Sequence, residues 1–249
     1  MRIRTSKREY SRSIQQCKSI IQRAKMFLLG ILCALFITVS ADSCYSKVEE
    51  TCKSALPANK NSLFPNCNAT FGSIKELQAD LQAYANAHIE SSYELLLMST
   101  QFGNYESNRD GFKALYRKLS DKTWEDAINI IKFITKRGGR MNFNQLPRYK
   151  KNGKESKILQ FNEINSLAKA LDIEKQLAEE ALNIHSKAQH HTKQDPSIAH
   201  YVEEQFMEQQ ADCVRQLAGH INDLKKLLLT DHDASISVFL FDEYLKKTV

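Results

Sequence analysis

Residues 111–136 read GFKALYRKLSDKTWEDAINIIKFITK and are followed directly by RGGR at 137–140. Apolar side chains recur in it every three or four residues, and this spacing predicts one long amphipathic helix. Gly138 and Gly139 predict its end. The same pattern predicts further long helices at about residues 73–102 and 156–188, and another after Asp195-Pro196, where an N-cap residue precedes a proline.

Four striped helices of similar length predict an all-α four-helix bundle. The connection between the second and third helices is long enough for them to run parallel, which requires one long crossover along the bundle. A short fifth apolar segment, residues 236–245, follows a break at 231–233. The bundle is expected to occupy residues 71–249. No strand pattern is visible.

The net charge of +6 is confined to the start of the chain. Residues 1–25 contain eight basic side chains and one acidic side chain, and residues 26–41 contain no charged side chain. From Asp42 onward, 27 basic residues face 28 acidic ones, a net charge of −1. The mature chain therefore gives no reason to expect binding to nucleic acid or to a membrane.

Residues 1–41 have the organisation of a secretory leader. A run of 13 uncharged, mostly apolar residues from Phe27 to Val39 follows the basic segment, and small residues end it at Ala41. Met26 precedes this run and is a possible alternative start. A mitochondrial presequence is the competing interpretation of residues 1–25. The run is too short to span a bilayer, which takes about 20 residues.

Residues 42–70 form an irregular, cysteine-bearing extension. Cys44, Cys52 and Cys67 lie close together and are candidates for disulfides in a secreted chain. All three cannot pair with one another, so one reaches Cys213, bonds another chain or stays free. Cys213 lies in a helical pattern and also fits a buried free thiol. Asn68-Ala69-Thr70 is an acceptor triplet for N-glycosylation at Asn68.

The apolar stripes turn polar near the middle of each helix. A buried polar residue needs a partner, so polar residues at similar depth on every helix predict a shared site or a hydrogen-bond network. Lys122 adjoins the second stripe and can neutralise an acid there. The polar positions are His88, Thr123, Asp126, Glu174 and Gln210.

Several segments, in this order and spacing, resemble the ferritin family from about Leu77 to the C-terminus. The RGGR sequence resembles the turn that ends the second helix of ferritins. The other segments are ESSYELLLMS at 90–99, LDIEK at 171–175, FMEQQ at 206–210, GHI at 219–221 and FLFD at 239–242. The resemblance implies a ferritin-like bundle with a short fifth helix, and ferric iron stored as mineral without an organic cofactor.

The resemblance also locates the positions of the family's ferroxidase centre. Only Glu174 and Gln210 match the catalytic set. The remaining positions carry residues that are unlike the family's ligands, namely His88, Leu95, Lys122, Thr123 and Asp126. Two iron ions need several anionic ligands. The pattern is therefore typical of a light-type subunit without catalytic residues, in which we expect a salt bridge from Lys122 to Glu174.

Further roles follow from the same resemblance. Glu125 aligns with an acidic residue that nucleates mineral, and Asp126 is adjacent, although a solvated helix face explains both equally well. Glu174 and Asp126 are candidates for residual iron binding. The three-fold channel positions read His200 and Glu203. The pair at 190–191, two adjacent histidines in a polar turn, is expected to be solvated.

The leader, the N-terminal cysteines and the light-type pattern together resemble the secreted ferritins of insects. The resemblance implies a 24-subunit shell with a heavy-type partner, disulfides near the N-termini, and a location in the secretory pathway or outside the cell. Two alternatives stay open at this point. One is an enzyme with residual ferroxidase activity at a non-standard site. The other is a secreted signalling ligand, because some of these also use four-helix bundles.

Overall fold

The computed structural model describes residues 68–148, 162–190, 194–230 and 233–249. The leader at 1–41 and the cysteines Cys44, Cys52 and Cys67 lie outside the described residues. Within the described ranges the chain is helical and contains no strand.

Five helices make up the structure. Helix α1 spans Ile74–Phe102, α2 spans Asp110–Lys136 and α3 spans Glu163–His190. Helix α4 begins as Pro196–Val202, widens into a π-helical turn at Glu203–Met207 and continues as Glu208–Thr230. Helix α5 spans Ala234–Thr248. The expected helices are confirmed to within a few residues wherever the chain is described, whereas nothing in the sequence pattern predicted the π-helical turn.

Side-chain contacts between helices fix the directions in which they run. Lys187 near the end of α3 pairs with Asp80 near the start of α1 (Nζ–Oδ1 2.8 Å), so these helices are antiparallel. Tyr116 near the start of α2 hydrogen-bonds Ser166 near the start of α3 (2.6 Å between hydroxyls), so those two are parallel. The expected long crossover between α2 and α3 is therefore confirmed.

The core contains the predicted stripes and is richest in aromatic side chains where α1, α2 and α5 meet. Phe102 stacks on Phe112 at 5.2 Å between ring centroids, and Phe112 lies 5.8 Å from Phe241 of α5. Full burial of one such side chain stabilises the fold by about 1.5–3 kcal/mol. The short fifth helix is thus packed into the bundle core.

The RGGR turn closes one end of the bundle around a buried ion pair, which we call the clasp. Arg137 Nη2 lies 2.8 Å from Asp195 Oδ2, and both side chains are 4% exposed. Asp195 also accepts hydrogen bonds from the backbone N–H of Ser73 and, as the N-cap of α4, from that of Ile198. Although burial opposes it, these donors hold the pKa of Asp195 below its usual value. The clasp thus joins the starts of α1 and α4 to the end of α2.

Gly138 is required beside the clasp. Its φ of +78° is a left-handed conformation, and a Cβ there would lie 2.7 Å from the carbonyl carbon of Ala69. The RGGR turn therefore accommodates the backbone that enters α1.

Helix α5 supplies the N-terminal cap of α2. Arg109 precedes α2 without a side-chain cap. Asp242 instead accepts a hydrogen bond from the backbone N–H of Phe112 (3.0 Å) and is 3% exposed. Gly111 allows this approach, because a Cβ at that position would collide with the Asp242 backbone. A residue from the end of the chain thus satisfies amides that helix starts leave without partners.

No helix in the described part of the chain is long and apolar enough to cross a membrane.

Candidate functional site

The polar positions of the four stripes converge at one level of the bundle. His88, Thr123, Glu174 and Gln210 are all buried, and Asp126 is half-buried. The side chains also act on one another, since Asp126 and Glu174 influence Tyr84, which bonds Gln210, so the structure brings these positions together. Leu95, by contrast, is an ordinary fully buried core residue.

Tyr84 and Gln210 form the central hydrogen bond of the cluster. Gln210 Nε2 donates to Tyr84 Oη at 2.9 Å, and both side chains are buried. Burial raises the pKa of Tyr84 well above its usual value, and the nearby carboxylates of Asp126 and Glu174 raise it further. Tyr84 is thus a neutral phenol that lies among the residues of the cluster.

His88 lies against aromatic rings in the core of the bundle. Its ring is edge-on to Tyr84 at 4.5 Å between centroids and lies 5.7 Å from Phe206. It is 1% exposed, and neither ring nitrogen has a hydrogen-bond partner of good geometry. Burial, helped by the positive charge of Lys122, lowers the pKa of His88 to about 3, although the Thr123 backbone acts in the opposite direction. The imidazole is therefore neutral at physiological pH.

Lys122 acts on both acids of the cluster from a distance. Burial raises the pKa of Glu174 and that of Asp126, the latter to about 6, and Lys122 partly opposes both shifts. Among the described residues, no ion pair joins Lys122 to either acid. The expected salt bridge to Glu174 is therefore wrong, and the charge of Lys122 acts on the two carboxylates through space.

Glu174 has a different direct partner, the thiol of Cys213. The Cys213 side chain is half-buried and unpaired, and it hydrogen-bonds to Glu174. Burial and the neighbouring negative charge raise the pKa of this thiol to about 12. The free thiol expected on this helix is confirmed, although it is less buried than predicted, and its raised pKa makes it unreactive.

The donor set of the cluster fits iron ions poorly. The Thr123 hydroxyl donates to the carbonyl of Leu119 (2.7 Å). Gln210 is hydrogen-bonded to Tyr84, and Glu174 is hydrogen-bonded to Cys213, so neither side chain is free to bind iron. Within the described ranges, no group of three or more His, Cys, Asp or Glu side chains is arranged to hold a metal ion. Hard cations need several carboxylate oxygens, which this cluster does not bring together.

The predicted channel residues meet at the start of α4. His200 and Glu203 line one surface depression of about 500 Å³, together with His190. Glu203 lies 3.5 Å from His185 Nε2, and His200 lies 3.5 Å from Glu204. Each predicted channel residue thus has an oppositely charged or titratable neighbour. His190 is exposed, as expected.

Two other predicted positions are at the surface. Glu125 is exposed on α2, where solvent reaches its carboxylate. Asn68 is exposed, and its side-chain oxygen accepts hydrogen bonds from the N–H (3.1 Å) and the hydroxyl (2.5 Å) of Thr70. The acceptor amide and the threonine hydroxyl are thus adjacent.

Two members of the cluster, Tyr84 and Cys213, are not among the polar stripe positions that the sequence pattern predicts. The available signal was helical spacing. Tyr84 lies four residues before His88, and Cys213 lies three residues after Gln210, so each shares a face with a polar stripe position.

Comparison with known proteins agrees with this architecture. A model of the ferritin-like domain matches residues 78–227. The ferritin light chain of Trichoplusia ni is 44% identical over 234 residues, covering 90% of this chain and all of the relative. The ferritin light chain of Drosophila melanogaster is 43% identical, covering 88% of this chain and 96% of the relative.

A solved structure is similar as well. The crystal structure of Trichoplusia ni secreted ferritin superposes with a TM-score of 0.74 at 43% identity, covering 84% of this chain and all of the other. The bundle with its crossover, the RGGR turn and the short fifth helix agree with these similarities, and the chain belongs to the ferritin family.

Proposed function

We propose that this chain is a light-type subunit of a secreted ferritin shell, which stores ferric iron as mineral and has no ferroxidase centre of its own. The observation that carries the proposal is the altered cluster at the middle of the bundle. The positive charge of Lys122 acts on both carboxylates there. Leu95 is apolar, His88 is neutral, and the Thr123 hydroxyl and the Gln210 amide are hydrogen-bonded within the protein.

The electrostatics of the cluster support the absence of oxidase activity. Binding two ferrous ions requires anionic oxygens that lie close together. Here burial raises the pKa values of both Asp126 and Glu174, so each carboxylate is already disfavoured as an anion. The ammonium of Lys122 would repel an incoming cation from the same space.

A ferrous-oxidation assay tests this part of the proposal. The purified chain, assembled without a heavy-type partner, should oxidise ferrous iron no faster than buffer, whereas a heavy-type subunit should turn over. Glu174→Ala should leave this background rate unchanged, and Glu76→Ala provides an exposed control. Turnover by the chain alone that Glu174→Ala abolishes would instead establish a non-standard ferroxidase site.

Secretion and co-assembly form the second part of the proposal. The relatives are a ferritin light chain and a secreted ferritin, and residues 1–41 have the organisation of a leader. A heavy-type subunit and further copies of this chain would complete a 24-subunit shell. Disulfides from Cys44, Cys52 or Cys67 would link the chain types, since secretion exposes these thiols to an oxidising compartment.

Native mass measurement after co-expression with a heavy-type subunit tests the assembly. A mixed shell of about 24 subunits is expected, and reductant should separate chains that were disulfide-linked. Replacing all three N-terminal cysteines with serine should abolish the linkage, whereas Cys213→Ser should not, because the Cys213 thiol faces Glu174. A monomer that never enters a large assembly would contradict the proposal.

The surface positions have roles that follow from the shell. His200 and Glu203 would line its three-fold channel, Glu125 would contribute to mineral nucleation, and Asn68 would carry an N-linked glycan. The secreted Asn68→Gln variant should be lighter than the parent by the mass of one glycan. An amidase specific for N-glycans should lower the mass of the parent and leave that of the variant unchanged. Equal masses for the two forms would remove Asn68 from the proposal.

A further inference from the structure

A groove between the end of α2 and the start of α4 combines aromatic side chains with positive charge. Its volume is about 830 Å³, within the range of ordinary ligand pockets, about 300–1,000 Å³. One wall is a single face of α2, at positions 129, 132, 133 and 136, since residues three and four apart in a helix are neighbours on its surface. The first turns of α4 form the other wall.

Two aromatic rings join the helices across the groove. Phe133 of α2 and Tyr201 of α4 lie parallel, with 3.9 Å between ring centroids. Both side chains line the groove and pack against the core, and each is only partly buried. The part of each ring that the core leaves uncovered can contact the apolar body of a ligand, and aromatic pairs are stabilised beyond the area that they bury.

Two lysines make the groove electropositive. Lys132 and Lys136 are exposed one helical turn apart on α2, and within the described ranges neither forms an ion pair. The groove contains one carboxylate, that of Glu204, which lies 3.5 Å from His200 Nε2. Two ammonium groups against one carboxylate leave a net positive charge, which attracts anions.

The spacing of the lysines favours an anion that lies between them. Like charges four residues apart on a helix destabilise it, and an anion that contacts both would remove this repulsion. Asn129 and Ser197 line the groove too, and in the described ranges neither side chain has a hydrogen-bond partner. Their amide and hydroxyl groups can donate to the oxygens of the same anion.

We propose that this groove binds a small aromatic carboxylate, whose ring lies along Phe133 and Tyr201 and whose negative charge lies between Lys132 and Lys136. The inference does not rest on iron storage, although the groove shares His200 with the proposed channel.

Calorimetric titration of the assembled shell with four probes tests the proposal. The probe 2-naphthoate has both the ring and the charge, 2-naphthylmethanol lacks the charge, 2-naphthylmethylammonium reverses it, and inorganic phosphate lacks the ring. Saturable binding of 2-naphthoate, about tenfold tighter than that of each other probe, is expected from two exposed ion pairs. Equal or tighter binding of another probe would overturn the proposal. No saturable binding of 2-naphthoate, the result if a neighbouring subunit covered the groove, would overturn it too.

Variants at exposed positions locate the binding. Replacing both Lys132 and Lys136 with glutamine should weaken 2-naphthoate about tenfold and leave 2-naphthylmethanol unchanged. Lys225→Gln, at an exposed lysine of α4 outside the groove, is the control and should change neither affinity.

A second pair of variants tests the space itself. Ser197→Phe fills the groove from an exposed position and should abolish the binding of both naphthyl probes, whereas Ser186→Phe, at an exposed serine of α3 outside the groove, should not. Unchanged affinity for 2-naphthoate in Ser197→Phe or in the double lysine variant would place the molecule elsewhere and refute the site.

Discussion

Replacing His88 with phenylalanine should remove a large part of the chain's sensitivity to acid. The imidazole is neutral, buried among aromatic rings and without a hydrogen-bond partner of good geometry. Acid must either charge it inside the bundle or unfold the bundle. Phenylalanine keeps an aromatic ring at this position and cannot be protonated.

The magnitude follows from the pKa values of the two states. Burial lowers the pKa of His88 from 6.5 to about 3 in the folded chain, while the unfolded chain retains the ordinary value. The unfolded state therefore binds more protons at acidic pH, and the contribution of His88 is lost as the pH falls below about 6.5. Each pH unit below that value lowers the free energy of unfolding by about 1.4 kcal/mol. The loss amounts to about 2 kcal/mol between pH 7 and pH 5.

Urea denaturation at pH 7, 6 and 5 measures this effect. The slope of unfolding free energy against pH is compared between the parent and His88→Phe, because a packing change shifts all values equally. Asp126 and Glu174, whose pKa values are raised, oppose the slope in both proteins and cancel in the difference. His200→Phe, at an exposed imidazole, is the control and should keep the parental slope.

A difference of about 2 kcal/mol between pH 7 and pH 5 is expected. If the two slopes coincide, His88 either accepts a proton in the folded state or is reached by water, and the account of the cluster as a dry, uncharged pocket around the imidazole is refuted.

Three other predictions concern the charged contacts. Lys122→Met should raise the pKa of Glu174, because the ammonium lowers it, and an NMR titration of the carboxyl carbon that gives an unchanged value would contradict this. Arg137→Ala should leave the buried carboxylate of Asp195 unpaired and lower the free energy of unfolding, measured in urea, by about 3–5 kcal/mol. Arg117→Ala removes an exposed ion pair and should change that free energy little. Equal losses in the two variants would contradict the role of the clasp. Asp242→Ala should lower the free energy of unfolding by about 1–2 kcal/mol and speed amide hydrogen exchange in the first turn of α2. Unchanged exchange there would show that another group caps the helix.

The sequence predicted the helices well because their signals are local. Apolar spacing located α1 and α2, and Asp195 followed by proline located the start of α4, where the cap is confirmed. The fold class needed only these periodicities and the length of one connection. The π-helical turn escaped prediction, since it depends on how α4 packs against its neighbours.

The sequence predicted most of the residues of the candidate site but not the contacts between them. Periodicity placed His88 and Gln210 on buried faces, and both are buried. The predicted partner of Glu174, Lys122, was wrong. A sequence does not reveal whether a lysine or a thiol reaches a carboxylate across the bundle. Cys213 hydrogen-bonds to it, whereas Lys122 acts on it through its charge. Only side-chain reach in three dimensions decides between them.

The cap that Asp242 provides for α2 has a consequence for the timing of folding. The residues that it joins are 130 positions apart in the chain. At a synthesis rate of roughly 5–20 residues per second, Asp242 is made about 7–26 seconds after the start of α2. During that interval the first amides of α2 have only water as a partner. The bundle therefore reaches its final hydrogen-bonded form only after residue 242 has been made, and a ribosome that stops before it releases a chain with α2 uncapped.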